Sequence, residues 1–208
     1  NFHSVEVYLV NVEGLTTVDE NSLAPFARTT GSNETISDDT SIAYFASPSV
    51  AIHSTLVGSE NTSHSIQISS GTFDENLSII PTSSQGNLHV GAISGAEPVF
   101  TGGALIQSNY MMNDITVEGV TLQGEGSSDV AFSVQSPMGI TNLAIRNVTV
   151  EGNGDARSGI VASGLRGTVE IEDNHFNDLD GSYVFSTTPD DTDPGAGQIY
   201  SLTFSGNI

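Results

Sequence analysis

The chain has no cysteine, no tryptophan and no lysine, and its only strong cations are four arginines, against 25 aspartates and glutamates. Without cysteine there is neither a disulfide nor a thiolate metal site, so stability must come from a packed core. With so few cations the formal net charge is −21. Such a chain repels nucleic acid and anionic membrane surfaces, which proteins hold through Lys and Arg. It stays soluble at high salt and can collect divalent cations. No run approaches the roughly 18 apolar residues of a membrane span. Neither a nucleic-acid partner nor membrane insertion is therefore expected. Charged residues are only 14% of the chain and 22 residues are glycine. With Ser, Thr and Asn abundant, this favours a β-rich fold of many turns over a helical bundle. The 208 residues suffice for one ordinary domain with a real core. The sequence opens at Asn1 without Met or signal sequence and stops at "LTFSGNI", inside what reads as a repeat, so a piece of a larger chain is expected.

What is present is a repeat. "DITVEGVTLQGEG" from Asp114 is followed 28 residues later by "NLAIRNVTVEGNG". Ile115, Val117, Val120 and Leu122 fall on Leu143, Ile145, Val148 and Val150. The pattern is two period-2 strands joined by a break. Val169, Ile171 and Phe176 continue it, with Asn174 in the third apolar position; Leu202 and Phe204 follow. Backward, Leu88, Val90 and Ile93 form another copy, and Ile66 with Ile68 lie 22 residues before Leu88 and Val90. Six copies at a mean step near 27 residues mean a stacked architecture. A second strand recurs between copies as "VAFSV", "GIVAS" and "SYVFS", centred on Phe132, Ile160 and Val184. Each step thus holds at least three short strands separated by Gly/Asn/Asp corners. A propeller blade needs about 40 residues, too long for this step. The remaining solution is a coil whose rungs stack in parallel about 4.8 Å apart, a parallel β-helix.

The stretch "SIQISSGTFDENLSIIPTSSQGNLHVGAISGAEPVFTGG" (65–103) resembles the opening rungs of the right-handed parallel β-helix, pectin-lyase-like superfamily, with Phe73 at its usual Tyr position. "VEIEDNHFNDLDG" (169–181) is similar to its later rungs. The resemblance covers about residues 65–208 and implies an all-β, right-handed parallel β-helix solenoid. Residues 1–64 are less regular and are expected to form an N-terminal cap, since a solenoid must hide the open end of its core; a separate binding subdomain is the alternative. Within them "VEVYLVNV" reads as a strand and "SIAYFASPSVAIHSTLVG" as further strands. Residues 65–208 would be the rungs, truncated at the C-terminus.

Arg146 lies between the inward residues Ile145 and Val148, so alternation turns it outward; its counterparts are Glu118 one repeat earlier and Glu172 one later. Polysaccharide lyases of the resembled superfamily use carboxylate-bound calcium and an Arg or Lys that takes the proton alpha to a uronate carboxyl. The resemblance therefore implies Arg146 as base and Glu118 and Glu172 as ion ligands. A cross-rung salt-bridge ladder explains the same pattern. Asp155 and Arg157, in the corner "GNGDARSG", can grip a sugar carboxylate or pair with each other. Asp173, Asp178 and Asp180 in "EDNHFNDLDG", with Asp190, Asp191 and Asp193 in "PDDTDPG", offer clustered carboxylates for calcium. Solvated turn aspartates are the alternative. EF-hand spacing fails here, and the five histidines lack metal-ligand spacing. Neither a "GxSxG" elbow nor the carboxylate motifs of the superfamily's esterases and polygalacturonases occur.

These features lead to the expectation of an extracellular or cell-surface, non-catalytic β-helix module of a larger surface protein or adhesin. Its outer face would contact a polysaccharide or a surface protein, with calcium as the candidate cofactor. A polysaccharide lyase, or a related uronate-active enzyme, is the second expectation, and a structural spacer such as a tailspike or fibre segment the third. An enzyme needs a cleft with a cation beside clustered carboxylates. A binding module needs an exposed aromatic or polar strip, and a spacer needs neither. Tyr110, Met111 and Met112 form the one soft patch, which as core would leave no such strip.

Overall fold

The computed structural model describes residues 5–10, 40–45, 48–55, 63–81, 86–124, 130–152, 158–179, 183–188 and 199–208. From Ser63–Ile68 onward the chain visits three parallel stacks of strands in turn, then returns to the first one rung further on. The first stack holds Ser63–Ile68, Leu88–Ala92, Met112–Glu118, the second halves of Val130–Arg146 and Ser158–Glu172, and Ile199–Ser205. The second holds Gly71–Phe73, Pro98–Phe100, Thr121–Leu122, Thr149–Glu151 and His175–Asn177. The third holds Leu77–Ile79, Ala104–Gln107, the first halves of the same two long strands, and Tyr183–Thr188. The two long strands bend through one corner and so join the third stack to the first. The chain is an all-β parallel solenoid of about four turns.

Alternation builds the core directly. Ile66, Val90, Val117, Ile145, Ile171 and Phe204 form one inward column, and Leu88, Ile115, Leu143, Val169 and Leu202 another. In the second stack Phe73 and Phe100 meet with ring centroids 5.3 Å apart. Phe132, Ile160 and Phe185 line the third. Each fully buried side chain of this size contributes roughly 1.5–3 kcal/mol. At the last rung the cover ends, and Leu202 and Phe204 are about half exposed.

Two registers differ from the sequence reading. Ile66 pairs with Val90 and Ile68 with Ala92, so the step is two residues longer than expected and His64 lies opposite Leu88. In "SYVFS" the core position belongs to Phe185, opposite Ile160, while Val184 is exposed. Three adjacent apolar residues left that phase undetermined by pattern alone.

The N-terminal region departs further. Val5–Val10 lies between Thr40–Phe45 and Ser63–Ile68, parallel to both, and extends the first stack. Pro48–Thr55 is an α-helix where strands were expected, and it buries Ala51 and Ile52 in the core. Proline suits a first helical turn, because its missing N–H has no intrahelical partner there.

The corners are set by backbone conformation. After the first stack, Gly119, Asn147, Asp173 and Gly206 occupy equivalent positions, all with φ between 51° and 67°. This is the left-handed region, where Gly, Asn and Asp are the tolerated residues. The next position inward holds Val120, Val148 and Asn174, each 1% exposed. Asn147 is thus a turn residue, as read from the sequence, whereas Asn174 is a core residue with a bonded amide. Its Oδ1 accepts from Val148 N at 2.9 Å, and its Nδ2 donates to Ile145 O at 3.0 Å and Asn207 Oδ1 at 2.9 Å.

Candidate functional site

Two outer surfaces carry chemistry, and they differ in charge. On the first stack, Glu118, Arg146 and Glu172 stand in one column, as alternation required. The bonding within it is diagonal as well as vertical. Arg146 Nε lies 3.3 Å from Glu172, and Nη2 donates to Glu170, which faces the small Ala144. Glu118 pairs instead with His89 Nε2 at 3.0 Å. Gly91, opposite Glu118, permits this: a Cβ there would come within 2.8 Å of Glu118 Cγ. The structure therefore joins Arg146 to Glu172 and leaves Glu118 with another partner.

A shallow groove of about 310 Å³ lies over Ala144, edged by Asp114, Thr116, Asn142, Arg146, Thr168 and Glu170. Its polar groups engage one another. Asn142 Nδ2 donates to Asp114, and Asn142 Oδ1 accepts from Thr168 N at 3.1 Å. Ser205 Oγ donates to Glu172 at 3.3 Å. A half-exposed ladder of this kind stabilises by about 1 kcal/mol or less. Arg146→Ala is accordingly expected to lower the thermal midpoint by only a few degrees in a calorimetric scan.

The carboxylates assigned to calcium sit as follows. Glu118 and Glu172 are two rungs apart, roughly 10 Å, and each has a cationic neighbour, so they do not fit one shared ion. Asp173 and Asp178 are exposed and hold φ of 54° each, positions that the turn itself accounts for. Asp180, Asp190, Asp191 and Asp193 lie outside the described residues, as do Asp155 and Arg157. Among the described residues no group of three His, Asp or Glu side chains is placed to hold a metal ion. If the 173–193 segment binds calcium, EDTA will lower the melting temperature, since a ligand held only by the native state stabilises it. An unchanged melting curve removes that expectation.

The second surface is uncharged. Outward positions of the third stack are Ser78, Leu105, Ser133, Val161 and Ser186 in one column, and Gln107, Gln135 and Ser163 in the next. A groove of about 320 Å³ is lined by Asn76, Leu105, Val130, Ser133 and Gln135, among others. At the corner leading to the first stack, Tyr110, Met111 and Met138 are 42%, 44% and 49% exposed, whereas Met112 is fully buried. Ser108, itself buried, pins this corner: its Oγ accepts from Tyr110 N at 3.0 Å and donates to Tyr110 O at 2.8 Å. The soft patch of the sequence is therefore split, with Met112 in the core and its two neighbours outside. Sequence reasoning missed Met138, although "QSPM" repeats the frame of "QSNY" 28 residues earlier.

Fold and surfaces together define a parallel β-solenoid with one charge-laddered face and one uncharged face. Comparison with protein-family models, curated proteins and solved structures finds no match for this chain.

Proposed function

We propose that this chain is a non-catalytic, extracellular or cell-surface binding module that takes a glycan or a protein along the outside of its solenoid. The observation that carries the proposal is the uncharged strip with exposed Tyr110, Met111 and Met138 beside Gln107 and Gln135. Aromatic and thioether side chains left in water on an otherwise polar coil are contact groups, because their burial against a partner is favourable. The first-stack face, by contrast, has its charges matched to one another. The right-handed coil and kinship with the pectin-lyase-like superfamily belong to this proposal, supported by "SIQISSGTFDENLSII" and by the stacking of Phe73 on Phe100.

The second reading is a uronate lyase, favoured by Arg146 at the groove edge near Asp114 and Glu170. Its weakness is that the Arg146 guanidinium is held between two carboxylates, which keeps it protonated and oriented. Incubation with polyuronates, with and without calcium, separates the readings through absorbance at 235 nm, where unsaturated elimination products absorb. A flat trace is expected. A rise lost in Arg146→Ala establishes the lyase and ends the binding-module reading.

A further inference from the structure

We infer that the ligand of the uncharged strip is a neutral, hydroxyl-rich glycan, an inference that rests on the binding-module reading and narrows it. The first argument is electrostatic. A chain of net charge −21 repels a polyuronate, and the cation best placed on an outer face, Arg146, is already held by Glu170 and Glu172. A basic peptide is drawn elsewhere, to the first-stack face with Asp114, Glu118, Glu170 and Glu172. The third-stack columns present no Asp, Glu, Lys, Arg or His among the described residues. Neither sign of charge finds its complement on the strip.

The second argument is the chemistry of what is there. Gln107 and Gln135 face outward on adjacent rungs, both exposed. A primary amide offers two donors and an acceptor in one plane, a match for neighbouring sugar hydroxyls. The Tyr110 ring and the Met138 thioether give an apolar surface for the C–H face of a pyranose, and Tyr does so at low conformational cost. A neutral ligand also avoids the desolvation penalty that a charged one would meet without a partner. The third argument is periodicity. Equivalent groups recur about every 4.8 Å along the axis, a presentation suited to a polymer of repeating units.

Affinity electrophoresis of the whole chain through gels cast with soluble glucan, mannan, galactan or xylan, and separately with polygalacturonate, alginate or polylysine, tests this. The expected result is retardation by at least one neutral polymer, unchanged between low and about 0.5 M salt because no charges are paired. Tyr110→Ala is expected to weaken it about tenfold or more, as truncation of an aromatic anchor does, while Glu118→Gln, on the other face, leaves it intact. Tyr110 is exposed, so circular dichroism and melting of Tyr110→Ala should match the parent. Retardation by charged polymers alone, or neutral binding indifferent to Tyr110→Ala, overturns the inference. So does the absence of retardation by every neutral polymer. A charged polymer bound through Tyr110 sinks the neutral class but keeps the module; the 235 nm assay is what sinks the module.

Discussion

Replacing Asn174 with alanine is expected to lower the unfolding free energy by about 2–5 kcal/mol, a loss on the scale of an emptied core position although no apolar side chain is removed. The amide sits 1% exposed at a corner of the coil and bonds the rung before it. Without it, Val148 N–H loses its acceptor and Ile145 C=O loses a donor, with no water to replace them. Asn207 repeats the device one rung later: its Oδ1 accepts from Asn174 N at 3.0 Å and its Nδ2 donates to Ile171 O at 2.8 Å. Asn207 is half-buried at the end of the described stack, so Asn207→Ala should cost clearly less. Urea denaturation of the two variants decides the matter. Equal, small shifts would mean that the corner amides are not structural.

Gly164→Ala is the second large effect, expected at about 3–5 kcal/mol. Gly164 has φ of 73°, where an L-residue costs about 1–2 kcal/mol. An added Cβ would also land on the Ser136 carbonyl oxygen of the preceding rung, and forcing packed backbone apart adds about 1–3 kcal/mol or more. Gly95 supplies the control, with φ of 80° and nothing within 4 Å of the place an added Cβ would take. Gly95→Ala should therefore show the conformational cost alone, about 1–2 kcal/mol. The difference between the two denaturation midpoints measures how closely the rungs approach. If the midpoints coincide, the close approach at Gly164 does not limit stability.

The particular successes and misses of the sequence have one explanation. Ile115, Val117 and Leu122 were aligned with Leu143, Ile145 and Val150, and those pairs are opposite each other in the coil. Strict alternation and an unbroken 28-residue step left one solution. The same alternation brought Glu118, Arg146 and Glu172 into one outer column. Where the step varied, the signal failed. A slip of two residues keeps every apolar side chain on its face, so the pairing of Ile66 with Val90 was invisible to pattern. A run of adjacent apolar residues hides its phase altogether, which is why Val184 was read for Phe185. The Pro48–Thr55 helix was lost among β-branched neighbours, and its two buried residues, Ala51 and Ile52, are too few to show a helical period.

The sequence by itself determined the all-β class, the three-strand rung, the parallel stacking and the acidic charge. These follow from local periodicity and composition, which every residue reports independently. The tertiary structure alone decided which carboxylate meets Arg146, which asparagine is turn and which is core, and that Tyr110 and Met138 share one exposed corner. Those outcomes depend on the space left by residues a whole rung away, such as Ala144 opposite Glu170 and Gly91 opposite Glu118. Such space exists only once the coil has closed upon itself.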